Sequence, residues 1–315
     1  MSLMSFTKNK RIAHSLKRIH YLMGTFLSIE AFHLQDEGLS AIVETAFKEV
    51  SRIEQLLSRF QEDSQLFRIN NSAWKEPQVI EFELFSLIAE CVEFSKKTNG
   101  AFDITVAPLM ELWHQAEREG QLPAELQVSE LLLNIGSQNI ALDKEAKTIF
   151  FKNPLLKIDL GAVGKGYALD RAVQILKEKG IEKARLDFGG HLYYLVPDDF
   201  LGDYIGIRDP LKSEEIITNL RLKNKSISSS ANYERNFKIQ NRAYGHLVNP
   251  LKGLPIENDI ESVSIISDSA MQADILSTAV FILGMEKGRQ LIKDMGYGEV
   301  IIIIKEAGKS KVYAS

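Results

Sequence analysis

The segment Asp159-Leu160-Gly161-Ala162-Val163-Gly164-Lys165-Gly166-Tyr167-Ala168-Leu169-Asp170 limits what this chain can fold into more than any other stretch. It leaves an apolar, strand-like run, Thr148 to Leu160, and enters a helical pattern, Tyr167 to Lys179, which Gly180 stops. Ala184 to Phe188 then reads as a strand, so the order is strand, glycine loop, helix, strand, a local βαβ-like unit. Glycines at 161, 164 and 166 let backbone N–H groups turn toward an anion, and a helix start adds partial positive charge. Lys165 brings a full charge to the same place, and Asp159 offers a hydrogen-bond acceptor at the strand end. No Ser or Thr follows the lysine and the glycine spacing is wrong for a Walker A loop; the spacing also excludes the dinucleotide G-x-G-x-x-G. Two readings stay open: a phosphate cradle, or a tight strand-to-helix turn carrying a solvated lysine.

Around this unit, Tyr21 to Phe32 reads as a strand, and Leu39 to Phe60 has helical spacing. Gln61 to Pro77 is polar and reads as loop; Phe82 to Lys97 is a second amphipathic helix, ended by Asn99-Gly100. Tyr204 to Ile207, Ser262 to Ile266 and Val300 to Ile304 are further strands, and Ala270 to Asp294 is mostly helix. Strands and helices do not alternate regularly, which favours α+β over a doubly wound sheet. No Pro/Gly/Ser-rich linker divides the chain, so one compact unit is expected, with room for two lobes.

Composition narrows the function classes. The 315 residues are 45% hydrophobic and 25% charged, as in an ordinary globular protein. A net charge of −4 argues against wrapping a nucleic-acid backbone. The single cysteine, Cys91, excludes an internal disulfide or a cysteine-cluster metal site, and its apolar helix pattern marks it as a buried hydrophobe. No apolar run is long enough for a transmembrane helix. Residues 1–19 read as an N-terminal leader, partly expression-derived at Met1-Ser2-Leu3, ahead of a domain over 20–315. The basic start lacks the apolar core of a signal peptide. The chain is therefore expected in the cytoplasm if its start is natural, and in the periplasm or on a membrane lipid anchor if a signal was removed.

A second chemical feature is Gln272-Ala273-Asp274-Ile275-Leu276-Ser277-Thr278-Ala279, at the start of a helix. Asp274 and Thr278 are four apart and share a face, with Ser277 beside them. Hard oxygen ligands of this kind suit Mg²⁺, which leaves room for phosphate oxygens. The alternative is a helix-start aspartate with two hydroxyls filling polar space.

Taken together, the motifs resemble the ApbE family over roughly residues 20 to 305. The resemblance rests on Met23-Gly24-Thr25; Leu57-Ser58-Arg59-Phe60 with Ser64 and Asn70; and Gly100-Ala101-Phe102-Asp103-Ile104-Thr105-Val106 leading to Pro108 and Leu112-Trp113. It continues through the loop Asp159 to Asp170, Gly189-Gly190, the block Tyr244 to Pro255, and Ala273-Asp274 to Thr278. It implies an α+β, ApbE-like (T-fold-like) single compact unit, with mixed sheets and packed helices. It also implies a Mg²⁺-dependent flavin transferase that takes FAD as substrate, moves FMN onto a threonine of an acceptor protein, and releases AMP. By resemblance FAD is held by Met23, Phe60, Ala101, Phe102, Asp103, Asp159 and Lys165, with His246 and Leu247 on the flavin side. Mg²⁺ would be held by Ala162 through its carbonyl, Asp274 and Thr278, with Ser277 weaker. The catalytic groups would be His246 as base, Asp274 and Lys165. Core packing competes for Met23, Phe60 and Phe102, and turn or cap chemistry for Asp103. The other five histidines, His14, His20, His33, His114 and His191, read as structural or surface residues.

The chain departs from the family pattern where Asn249 stands for Asp, Lys252 for Thr, and His191 for the Asp that often follows the double glycine. The run Ser228-Ser229-Ser230-Ala231-Asn232 replaces a Thr-Ser-Gly turn before Tyr233. These departures keep an alternative in view: an FAD-binding protein, or a Mg²⁺-dependent FAD pyrophosphatase, with weak or no transfer.

Overall fold

The computed structural model describes residues 14–33, 37–231 and 236–314, without the side chains of Ser213 and Asn236. The first thirteen residues of the expected leader, and the Asn232-Tyr233 end of the serine run, lie outside the described residues. The elements begin with β1 (His14–Leu22), β2 (Thr25–His33), α1 (Leu39–Leu57), α2 (Gln65–Ser72), β3 (Gln78–Val79), α3 (Phe82–Lys97), α4 (Ala107–Glu119) and α5 (Glu125–Asn134). Next come β4 (Ile140–Asp143), β5 (Thr148–Phe151), α6 (Gly164–Glu178), β6 (Lys183–Phe188), β7 (His191–Leu195), β8 (Asp203–Asp209), β9 (Lys212–Leu222) and β10 (Lys225–Ala231). The chain continues with β11 (Asn236–Ile239), β12 (Arg242–Gly245), β13 (Ile260–Ser267), α7 (Ala270–Leu283), α8 (Met285–Met295), β14 (Glu299–Glu306) and β15 (Lys309–Ala314). Among the described residues no helix is long and apolar enough to cross a membrane.

Eight strands form one sheet in the order β1-β2-β6-β7-β10-β13-β14-β15, and every ladder among the described residues is antiparallel. Alternation assigns the two faces. Leu27, Ile29 and Ala31 of β2, Val263 and Ile265 of β13, and Val300 and Ile302 of β14 belong to the main core with α1, α6 and α7. Ile227, Ile266 and Ile301 lie on the opposite side of their strands, where the β8–β9 ribbon covers them with Ile205 and Leu222. A satellite core joins Leu109 and Trp113 of α4 to Phe237 and Ile239 of β11 and to Val248.

The helical spacing over Leu39 to Phe60 becomes α1, with Leu39, Val43, Ala46, Phe47, Val50, Ile53, Leu56 and Leu57 buried. The second expected helix is α3, residue for residue, with Cys91 fully buried inside it. Asn99 and Gly100 follow it with φ of 51° and 78°, the left-handed turn that asparagine and glycine tolerate.

Several expectations are corrected. Tyr21 to Phe32 is not one strand but a hairpin, because Met23 and Gly24 both take positive φ (48° and 76°), which makes a two-residue turn. β1 begins at His14, so the sheet takes in residues 14–19 that the sequence reading places in the leader. Residues 61–77 contain α2: Ser64 caps it by accepting from Phe67 N–H at 2.9 Å, and Leu66 and Ile69 bury its short apolar side. The helix over Ala270 to Asp294 breaks at Gly284, whose φ is 83°.

The βαβ-like unit is also absent. β5 ends at Phe151, ahead of Asn153-Pro154, and pairs in a small sheet with β3 and β4; β6 belongs to the large sheet. Residues 156–160 approach the glycine loop without a strand partner. Asn70 takes that place: its Oδ1 accepts from Ile158 N–H at 2.8 Å and its Nδ2 donates to Ile158 O at 2.9 Å. Asp159 N–H donates to Ile104 O at 2.7 Å.

Candidate functional site

The site grows from two helix starts that cap one another. The first N–H groups of a helix have no partner within it. Val163, at the start of α6, supplies no side-chain cap, and Asp274 of α7 does so instead: Gly166 N–H donates to Asp274 Oδ2 at 3.1 Å. In return Asp170 of α6 accepts at the start of α7 from Ala270 N–H (2.7 Å), Met271 N–H (3.0 Å) and Ser269 Oγ (2.7 Å). Burial raises the Asp170 pKa, and these same hydrogen bonds work against that rise. The helices meet so closely that a Cβ on Gly166 would stand 2.4 Å from Ala270 O. The cationic loop and the carboxylate helix are thus one locale, although 108 residues separate Gly166 from Asp274.

β7 and β10 bring polar side chains to Asp274. Their ladder pairs Ser226 with Tyr193 and Ile227 with Leu192, so the next step sets Ser228 opposite His191. Ser228 Oγ and His191 Nδ1 are 2.6 Å apart, and His191 Nδ1 is 3.6 Å from Asp274 Oδ1. Ser230, two residues along on the same face, hydrogen-bonds Ser277 Oγ at 2.9 Å. His191 is 7% exposed, and its pKa falls to about 4. Burial is the main cause, the Lys165 charge adds to it, and Asp274 opposes it. The ring is therefore neutral near pH 7.

Two tight turns close this end of the sheet. Met23, in the first hairpin turn, donates its N–H to Glu54 Oε1 at 2.7 Å, and its Cε stands 3.0 Å from where a Gly164 Cβ would be. Gly189 and Gly190 turn β6 into β7 with φ of 59° and 90°, and Gly189 N–H donates to Phe26 O at 3.1 Å. A Cβ on Gly189 would meet the Thr25 side chain at 2.8 Å. Both glycine-bearing turns therefore stack, and the first rests on the loop that carries Lys165.

The remaining sequence-derived residues fall into three settings. Asp159 accepts from Gly161 N–H at 2.7 Å through Oδ1, and its Oδ2 is 3.0 Å from Arg59 Nε in an ion pair without hydrogen-bond alignment. Arg59 also donates to Glu111, which accepts from Lys157 as well, and its guanidinium lies 4.6 Å from the centroid of the Phe60 ring. Phe60 is 76% exposed. Ala101 and Phe102 are buried, and Asp103 has both oxygens engaged. Oδ1 accepts from Thr105 N–H and Oγ1, and Oδ2 from Ser95 Oγ and Ser137 N–H. The protein thus gives Asp103 cap-like work of its own.

His246 and Leu247 are half-buried, and Leu247 packs against the main core. The turn after them is organised by Asn249, whose Oδ1 accepts from Leu251 N–H at 2.9 Å, work an aspartate oxygen would do equally well. Lys252 is exposed, and Gly253 O accepts from Trp113 Nε1 at 2.9 Å.

The donors expected to hold a cation are oxygens. Ser277 Oγ and Thr278 Oγ1 both donate back to Asp274 O, at 2.9 and 3.4 Å, which keeps lone pairs on each hydroxyl. With the Asp274 carboxylate they are hard oxygens, the donor type that Mg²⁺ takes. Among the described residues no group of three or more His, Cys, Asp and Glu could hold a metal, so hydroxyl and carbonyl oxygens are needed to complete one.

The sequence gives no role to His191 and Ser228, which pair beside Asp274, or to Arg59, which pairs with Asp159. His191 reads from the sequence as a structural or surface histidine, and the β7–β10 register makes it a buried one, turned inward against Asp274. Its one signal was the position after the double glycine, where the chain departs from the family pattern.

The ApbE family model matches residues 23–302. A FAD:protein FMN transferase of Klebsiella pneumoniae (strain 342) is 29% identical over 286 residues, 90% of this chain and 87% of that protein. A protein of the same name from Escherichia coli (strain K12) is 27% identical over 299 residues, 93% and 85% of the two chains. The solved ApbE protein of Thermotoga maritima matches with a TM-score of 0.84 at 29% identity, covering 96% of this chain and 97% of that one. The flavin transferase ApbE from Vibrio cholerae, at 24% identity and a TM-score of 0.83 over 96% of this chain and 97% of its own, shares the fold.

Proposed function

The chain belongs to the ApbE family, and on that premise we propose that it is a Mg²⁺-dependent flavin transferase, moving FMN from FAD onto a threonine hydroxyl of an acceptor protein and releasing AMP. The observation that carries the reading is the hydrogen bond from Gly166 N–H to Asp274 Oδ2, which joins a cationic glycine loop to a carboxylate and hydroxyl helix. Curated relatives named FAD:protein FMN transferase over most of their length support it.

The acceptor oxygen attacks the FMN-side phosphorus, a new P–O bond forms, and the bond to the AMP phosphate breaks. Such a displacement needs positioning and charge neutralisation more than covalent help. The Lys165 ammonium and the N–H groups at the start of α6 stabilise negative charge on the phosphate oxygens. Asp274, Thr278, Ser277 and the Ala162 carbonyl would hold Mg²⁺, which would supply Lewis-acid polarisation of the pyrophosphate. His246 takes the hydroxyl proton as general base; Asp274 would be the alternative only where the cation leaves Oδ1 free, because Oδ2 is held by Gly166. Met23 rests against the loop and Phe60 stands exposed beside Arg59, where they would bound the FAD.

The test is incubation with FAD, Mg²⁺ and a threonine-bearing acceptor, read by mass. The acceptor gains the mass of FMN, and Asp274→Ala lowers transfer by about 100-fold or more, the scale of losing one electrostatic stabiliser. Full-rate transfer by Asp274→Ala overturns the assignment. FMN and AMP appearing without modified acceptor would replace it with FAD hydrolysis.

A further inference from the structure

The geometry points to a cation site of mixed nitrogen and oxygen character, in which His191 Nδ1 joins Asp274 Oδ1 and the site accepts a transition-metal divalent ion such as Mn²⁺ in preference to Mg²⁺. This rests on the reading of Asp274 as a cation ligand.

Nδ1 and Oδ1 stand 3.6 Å apart, with His191 and Asp274 both buried. That is too long for a hydrogen bond between them. A cation ~2.0–2.2 Å from each atom, placed off the line between them, would subtend roughly 110–130°. Ser228 Oγ is the partner at 2.6 Å from Nδ1, and a hydroxyl rotor can turn away when an ion takes the nitrogen. The ring is fixed from below by its place at the start of β7, directly after the Gly189-Gly190 turn. Imidazole nitrogen raises affinity for Mn²⁺, Co²⁺ and Zn²⁺ over Mg²⁺, which prefers oxygen and sheds water reluctantly. A residue pattern with Asp at position 191 would present oxygen only, so the preference belongs to this chain's histidine.

The experiment titrates Mn²⁺ into the whole protein with inorganic pyrophosphate, which carries no nitrogen, and records pulsed EPR for ¹⁴N coupling. Wild type shows imidazole coupling, and His191→Asp loses it while its Mn²⁺ over Mg²⁺ preference, from competition titration, drops about tenfold or more. Should His191→Asp fail to fold, wild type grown with ¹⁵N-histidine must exchange the ¹⁴N pattern for a ¹⁵N one. Mn²⁺ that binds dependently on Asp274 without imidazole coupling, or with coupling lost only in His246→Gln, overturns the inference and leaves the proposed function standing. Binding indifferent to Asp274→Ala removes the cation site itself, and both readings with it.

Discussion

Gly166→Ala is the sharpest test of how the two helix starts are joined. The added methyl would stand 2.4 Å from Ala270 O and 2.7 Å from both Ala270 C and Met271 Cα, all of them backbone atoms that cannot rotate aside. Ordinary contact requires the start of α6 to retreat from α7 by about 1 Å, since carbon approaches other atoms at ~3.5 Å. That retreat lengthens the 3.1 Å bond from Gly166 N–H to Asp274 beyond hydrogen-bond range. Overpacking costs about 1–3 kcal/mol, and a lost bond to a charged acceptor about 1.5–3 kcal/mol. Alanine's better helix propensity offsets about 1 kcal/mol, so the net loss is about 1.5–5 kcal/mol. Urea unfolding reads it as a lower midpoint at unchanged slope, and Mn²⁺ titration reads a weakened cation site. A midpoint within about 0.5 kcal/mol of wild type, with cation affinity intact, would refute the argument that this contact is tight and that it positions Asp274.

Two further outcomes follow from single side chains. Asn70→Ala removes both hydrogen bonds that substitute for a strand beside Ile158, and should cost about 2–4 kcal/mol. Amide exchange checks it: Ile158 N–H loses protection, and retained protection would show that the segment is held by other means. His191 contributes a pH dependence in cation-free protein. Its folded pKa, about 4, lies below its ordinary 6.5, so on acidification the unfolded chain takes the proton first. The stability tied to the neutral ring is therefore full above pH 6.5 and drains away toward pH 4, by about 3 kcal/mol in total. Urea midpoints across that window should slope upward with pH, and His191→Gln should flatten the slope; an equal slope in the variant assigns the effect elsewhere.

The residues themselves determined whatever depends on near neighbours along the chain. The apolar spacing of Leu39 to Leu57 and Phe82 to Lys97 makes those segments helices wherever they dock. The glycines at 161, 164 and 166 make a loop that lets backbone N–H groups gather, and the ordered set of motifs identified the family. Short polar elements were harder to read: α2 has only Leu66, Ile69 and Asn70 buried, too brief a pattern to stand out from a loop. Tertiary structure alone decided the partners. Asp274 reads equally as a cap for its own helix or as a ligand, and only the crossing of α6 and α7 shows that it caps the other helix and points its second oxygen at His191. His191 faces inward because the register of β7 on β10 sets it opposite Ser228, and a strand shifted by one residue would have turned it to the other face. Local propensity acts over a few residues, whereas these contacts join positions 37 and 108 residues apart, and only packing of the whole sheet against its helices brings such positions together.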